Sequence, residues 1–167
     1  MSSPAPIHIR PAGDDDAPQL CELLNQIIAV GGTTAYQEPL TVEEFGAKFL
    51  HRQGKICCFA AALPDGSLQG FQYMGLNPNL PDDWGDIATF ARLDSPVRGV
   101  GTALFAATKQ AAQQAGLAAI NATIRADNVP GLAFYAKMGF ADYAIAEAVP
   151  LADGTKVDRI SRKYVLK

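Results

Sequence analysis

The chain has 167 residues, 49% of them hydrophobic and 19% charged, with a formal net charge of −3. That is enough apolar material for one core and too little length for two ordinary domains, so residues 1–167 are read as a single domain. No Lys/Arg stripe marks a nucleic-acid surface, no apolar run approaches the ~20 residues of a membrane span, and the acidic balance suits an amine or cationic substrate.

The start, Met1-Ser2-Ser3-Pro4, lacks the charged leader and apolar stretch of a secretory signal. Ile7-His8-Ile9-Arg10 alternates as a first strand does. Asp14-Asp15-Asp16 supplies helix-start chemistry, Pro18 is tolerated in a first turn, and Leu20, Leu23, Leu24, Ile27 and Ile28 recur at helical spacing to about Ala29. Gly31-Gly32-Thr33-Thr34-Ala35-Tyr36 reads as a loop. Thr41-Val42-Glu43-Glu44 is a capping box that opens a second helix to about Arg52, with Gly54 as its stop. Ile56 to Leu63, the turn Pro64-Asp65-Gly66, and Leu68 to about Leu76 form a hairpin.

A loop with two prolines from Asn77 to Asp83 precedes a fourth strand, Trp84 to Leu93. A long helix then runs to about Ala115 with Gly116 as its stop, followed by a fifth strand from Leu117 to Ile124. A short helix opens at Asn128 or Pro130 and ends at Gly139. Phe140 to Val149 and Lys156 to Val165 form a last strand pair around Asp153-Gly154. The order β-α-α-β-β-β-α-β-α-β-β predicts an α/β protein with a mixed sheet covered by helices. Its fourth strand, long helix and fifth strand form a βαβ unit, which makes those two strands parallel.

Three cysteines is an odd count, and Cys57 and Cys58 would point to opposite faces of one strand. They read as reduced core residues rather than a disulfide or a metal pair, which fits a cytoplasmic protein. His8 and His51 have no partner at ligand spacing, so no metal site is expected.

The chemistry concentrates in two segments. Arg98-Gly99-Val100-Gly101-Thr102, between the fourth strand and the long helix, reads as a phosphate cradle. Its glycines let the backbone approach an anion, the helix start aims unpaired amides at it, and Arg98 adds a cation. By itself this pattern is also that of an ordinary turn. The second segment, Asn128-Val129-Pro130-Gly131-Leu132-Ala133-Phe134-Tyr135-Ala136-Lys137-Met138-Gly139-Phe140, follows the parallel fifth strand, so both helix starts share one sheet edge.

Together the two segments resemble the GNAT superfamily of N-acetyltransferases, which use acetyl-coenzyme A. Pro96-Val97-Arg98-Gly99-Val100-Gly101 is similar to that family's Gln/Arg-x-x-Gly-x-Gly/Ala loop, and residues 128–140 to its Asn-x-x-Ala-x-x-Phe-Tyr-x-Lys-x-Gly-Phe segment, with Gly131 in place of alanine. Pro96 departs from the pattern: it has no N–H and no polar side chain, so one contact is missing or replaced. The resemblance implies a mixed, mostly antiparallel sheet of about seven strands, with a parallel fourth–fifth pair and about four flanking helices.

It also implies roles. The pyrophosphate would lie against amides of Arg98, Gly99, Val100, Gly101 and Thr102, the pantetheine arm alongside Ala91, Arg92 and Leu93, and the Asn128 side chain on the cofactor. Backbone N–H groups near Leu93 would hold the oxyanion, and Tyr135 would be the general acid to the leaving thiol. Two carboxylates, Asp86 and Glu38, are candidates for the general base, and water chains serve many family members instead. Tyr73 and Trp84 are candidate walls of the acceptor site. Thr33-Thr34-Ala35-Tyr36 is faintly similar to a loop of the phosphinothricin and methionine-sulfoximine acetyltransferase branch, but Ile87-Ala88-Thr89-Phe90-Ala91 lacks that branch's fourth-strand glutamate. The leading expectation is N-acetylation of a small amine or amino acid, with a homodimer formed through the final strands. A peptide or protein acetyltransferase and a non-catalytic acyl-CoA sensor are the alternatives.

Overall fold

Alternation along β3 (Leu68–Gly75) divides the interior in two. Tyr73 enters one apolar cluster and its neighbour Met74 the other, as successive strand residues must. The computed structural model of the protein describes residues 6–167, so the expectation for Met1 to Pro4 lies outside the described residues. Around β3 stand β1 (His8–Pro11), β2 (Lys55–Ala62), β4 (Trp84–Ala91), β5 (Ala119–Arg125), β6 (Ala141–Pro150) and β7 (Lys156–Val165). The helices are α1 (Ala17–Val30), α2 (Val42–Phe45), α3 (Val100–Gln114) and α4 (Val129–Met138). The strands form one sheet in the order β1-β2-β3-β4-β5-β7-β6, antiparallel throughout except for the β4–β5 pair.

One face of the sheet is covered by α1 and the α2 region, where Leu20, Leu23, Leu24, Phe45, Phe49 and Phe71 pack together. The other is covered by α3 and α4 through Ile87, Phe105, Ile120, Ile124, Tyr135 and Phe140. Cys57 and Cys58 are buried in opposite clusters, as their adjacency requires. The Thr41 capping box closes reciprocally, Glu44 N–H to Thr41 Oγ1 and Thr41 N–H to Glu44 Oε1, each at 3.1 Å. The helix it opens is shorter than its pattern suggests. After Phe45 the chain widens into a π-helical turn over Gly46–Leu50, with His51 N–H bonded to Gly46 O at 2.9 Å. The wider turn brings Phe45, Phe49 and Leu50 inward together.

The feature that positions the site is a divergence. β4 pairs with β5 only through Trp84↔Ala119, Gly85↔Ile120 and Asp86↔Asn121. Beyond these, β4 stays on β3 as far as Ala91, and β5 stays on β7 as far as Arg125. A wedge opens between them whose walls carry main-chain groups with no cross-strand partner. The helices α3 and α4 begin at its mouth.

Candidate functional site

The glycine loop forms the outer end of the wedge. Gly99 caps α3 in the left-handed region (φ 83°), and a Cβ there would meet nothing within 4 Å. The first α3 bond is made by Ala103 N–H to Gly99 O at 3.0 Å, so the amides of Gly99, Val100, Gly101 and Thr102 face outward as a set. This is the arrangement that holds an anion, on a fifteen-residue helix whose dipole favours negative charge at that end. Arg98 is exposed beside it and has no ion pair among the described residues. Val97 N–H, in contrast, is taken by Ser95 Oγ at 3.2 Å.

The second glycine does different work. A Cβ on Gly101 would lie 2.6 Å from Phe134 Cε1, so this glycine lets α3 and α4 close on each other. Val100 turns its side chain into a small apolar cluster with Ala61 and Leu104, which leaves only its amide for a ligand. Arg92 also faces away. Its guanidinium donates to Leu68 O at 3.1 and 3.0 Å, while its own N–H bonds Gln69 O at 2.8 Å. Ala91 ends β4, and Leu93 beyond it is 58% exposed.

Inside the wedge lies a cavity of about 330 Å³ that touches both Asp86 and Tyr135. Tyr135 projects from α4 and is 7% exposed. Its Oη is 2.8 Å from Thr89 Oγ1, which in turn accepts from Gln72 Nε2 at 2.9 Å. Burial pushes the Tyr135 phenol up to about 12, aided by the charge of Asp86 and opposed by the Thr89 hydrogen bond. Tyr135 is therefore protonated at every physiological pH and can give a proton there but not take one as a base.

Asp86 stands where the strands part. Asn121 Nδ2 donates to its Oδ1 at 2.9 Å and Asn77 Nδ2 to its Oδ2 at 3.1 Å. Asn121 is fixed in turn by the Tyr143 hydroxyl, which donates to its Oδ1. Strand alternation sends Asp86, Ala88 and Phe90 towards the α1 face, and Ile87 and Thr89 towards the α4 face. The carboxylate and the phenol thus approach the wedge from opposite sides.

Asn128 is a structural hub. Its Oδ1 accepts from Gly131 N–H at 3.0 Å and caps α4, and its Nδ2 donates to Thr33 O at 3.2 Å. A Cβ on Gly131 would meet this amide, so an alanine here requires the Asn128 side chain to shift. Arg125 forms a bidentate pair with Asp127 at 2.9 and 2.8 Å and donates to Thr34 O at 3.0 Å. Together Asn128 and Arg125 hold the 31–41 loop over the mouth.

A second cavity, about 480 Å³, adjoins the first through Tyr36 and Arg125 and is closed by the β6–β7 turn at Leu151 and Asp153. Glu38 is exposed and lines this second cavity, apart from Tyr135. Neither expected wall lines either cavity. Tyr73 is buried against Phe49 in the core, and Trp84 packs edge-on to Tyr143 under Lys163.

Gln72, Thr89, Arg125 and Arg159, all in the cavity region, escaped the sequence reading. Gln72 and Thr89 sit in strand patterns that read as ordinary sheet. Arg159 stands directly opposite Arg125 across the β5–β7 register and lines the wedge, half-buried, without an ion pair among the described residues. Only knowledge of that register brings the two arginines together.

The family model for the acetyltransferase (GNAT) family matches residues 28–140, more than half of the chain. No curated protein sequence matches it. Solved structures share the fold at low identity. An N-acetyltransferase from Staphylococcus aureus Mu50 superposes with a TM-score of 0.86 at 20% identity, over 98% of this chain and 100% of that one. A GNAT superfamily phosphinothricin acetyltransferase from Sinorhizobium meliloti, in complex with AcCoA, gives 0.83 at 16% identity, over 96% and 88%. A ribosomal-protein-alanine N-acetyltransferase from Brucella melitensis gives 0.84 at 18% identity, over 95% and 99%. The chain belongs to the GNAT family of acetyltransferases, which take acetyl-CoA as co-substrate. Its wedge and amide cradle fit that molecule: an anion site at one end, and two unpaired strand edges along an extended arm.

Proposed function

We propose that the protein moves an acetyl group from acetyl-CoA to the primary amine of a small molecule, with Tyr135 as general acid and Asp86 as general base. The observation that carries this reading is the meeting of Tyr135 Oη and the Asp86 carboxylate at one cavity from opposite faces of the sheet. An amine entering from the α1 side meets Asp86 first and presents its nitrogen to the thioester carbonyl. The C–N bond forms and the C–S bond breaks. The amine proton passes to Asp86 and on to solvent, while the sulfur departs as a thiolate held by the Tyr135 hydrogen bond and takes its proton from solvent on release. Complete proton transfer from a phenol near 12 to a thiolate of ordinary pKa, roughly 8.5, is uphill. Desolvation of the thiolate in the same wedge narrows that gap, so the group acts chiefly as a strong, fixed donor. Outward amides of Gly99 to Thr102 support a pyrophosphate at the cradle, and the spare Nδ2 hydrogen of Asn128 supports a further cofactor contact.

An amino-acid acceptor is favoured over a simple amine by Arg159. Two arginines side by side on a sheet repel, and Asp127 neutralises only Arg125. A carboxylate on the acceptor would supply the missing partner of Arg159 and turn the amine inward. Steady-state thiol release over amines, amino acids and short peptides tests the proposal. Turnover with amino acids that falls at least about tenfold in Arg159→Met supports it. Peptides as the best substrates favour the protein-modifying alternative, and binding without turnover favours the sensor.

A homodimer is the assembly we infer. β6 is the sheet edge, almost wholly exposed, with Ile145 63% accessible, and an uncovered apolar edge invites a second copy. Light scattering checks this, with Ile145→Lys expected to yield monomers. Three buried cysteines without a disulfide support a reducing, cytoplasmic setting.

A further inference from the structure

Two side chains behind Tyr135 have no part in the chemistry so far. Gln72 is fully buried (0% exposed) at the centre of β3, opposite Thr89 in the antiparallel register. An amide in that place is costly unless its hydrogen bonds are made, and this one is half satisfied: Nε2 donates to Thr89 Oγ1 at 2.9 Å, whereas Oε1 has no partner. A methionine or leucine would fill the space without that liability. The single bond Gln72 does make is aimed at the hydroxyl that touches the general acid.

The direction of that chain matters. An amide N–H can only donate, so Thr89 Oγ1 receives from Gln72. Among the described residues the only other side-chain partner of the Thr89 hydroxyl is Tyr135 Oη, at 2.8 Å, where either oxygen can donate; with Gln72 supplying one hydrogen bond to Thr89, the Thr89 proton is free to go to Tyr135. A Tyr135 oxygen that accepts on this side keeps its own proton for the other side, which is the wedge. With the chain reversed, Tyr135 would donate to Thr89 and turn its proton away from the sulfur.

We infer that Gln72 and Thr89 are positioning residues that hold the Tyr135 hydroxyl proton turned into the β4–β5 wedge. The same chain gives the Tyr135 oxygen a hydrogen bond to lean on as its proton is drawn towards sulfur. This inference rests on the reading of Tyr135 as the acid.

The test compares Gln72→Met, Thr89→Val and Thr89→Ser, each alone and combined with Tyr135→Phe. Gln72→Met and Thr89→Val are each expected to lower kcat about tenfold with KM for acetyl-CoA changed less than about twofold, and Thr89→Ser to restore most of the rate. In the Tyr135→Phe background neither should cause a further loss. A readout without substrate is fluorine NMR of fluorotyrosine-labelled protein, with the residue-135 signal assigned by its loss in Tyr135→Phe. Its titration midpoint should move upward in Thr89→Val, because a donor to the phenolate is gone. Thr89→Val keeps the side-chain shape, so it decides the matter if Gln72→Met does not fold. Losses that add fully to that of Tyr135→Phe overturn the inference, as does an unmoved fluorine midpoint with unchanged kcat. A normal kcat in Tyr135→Phe itself would sink the acid reading, while the fluorine titration would still judge the chain.

Discussion

Substituting alanine at each glycine of the loop separates two kinds of glycine. Alanine at position 101 is compatible with the family pattern, yet here its Cβ would lie 2.6, 3.1 and 3.2 Å from three atoms of the Phe134 ring. That ring is 5.0 Å, centroid to centroid, from the ring of Tyr135, so any yielding is passed to the proposed acid. Overpacking of this kind costs about 1–3 kcal/mol, offset by up to ~1 kcal/mol of helix propensity at the second residue of α3. A net loss of about 1–2 kcal/mol lowers the Tm by roughly 2–8 °C in a chain of this size. Gly99→Ala meets no neighbour but must hold φ 83°, a strain of about 1–2 kcal/mol. Stability alone therefore does not distinguish the two variants. Function does: Gly101→Ala should lower kcat several-fold with Kd for coenzyme A nearly intact, whereas Gly99→Ala should weaken coenzyme A binding and leave kcat at saturation near wild type. Calorimetry and steady-state kinetics on the purified variants read both quantities. A Gly101→Ala protein with normal kcat and weakened coenzyme A binding would refute the assignment of this glycine to helix packing.

Tyr135→Phe should lower kcat about a hundredfold, the low end for a general acid, because the phenol donates a hydrogen bond more than a whole proton; an unchanged kcat removes it from catalysis. Stability should decline in acid as Asp16 protonates. Its carboxyl is held below the ordinary range first by the hydrogen bonds of Arg10 (2.8 Å), with Gly13 N–H assisting against burial. A depressed folded-state pKa gives stability that is complete above the unfolded value of 3.8 and is lost as pH falls through the folded one, so Asp16→Asn should flatten the acid limb of a Tm-against-pH curve. Native protein should resist thiol reagents near neutral pH, since burial pushes Cys57 up to about 11 and Cys58 up to about 12 and also raises Cys21; rapid labelling before unfolding would contradict the buried assignments.

Elements with a strong period were legible in the chain. The α1 stripe of Leu20, Leu23, Leu24, Ile27 and Ile28 is buried as its spacing requires, and the Thr41 capping box forms as written. The helix it opens stops being α after Phe45 because a tertiary demand, three inward side chains at 45, 49 and 50, outweighs the local period. The insertion of β7 between β5 and β6 is a matter of topology, on which the patterns of the two strands are silent. In the candidate site, Tyr135 and Gly99 carry a local signature that singles them out in the chain, and the structure places them at the cavity and at the head of α3. Gln72, Thr89 and Arg159 carry no such signature, because each acquires its meaning only from a residue on another element: Thr89 for Gln72, Tyr135 for Thr89, Arg125 for Arg159. The cap made by Asn128 lies between these cases, since its helix-start position was visible but its second bond to Thr33 was not.

The most direct test of the account is isothermal titration of acetyl-CoA into the wild-type protein, beside Gly99→Ala. Saturable binding at one site per chain, weakened in the variant, is the result expected from an amide cradle at the head of a strand wedge. Absence of heat with wild-type protein at millimolar ligand, or equal affinity in both proteins, would contradict it.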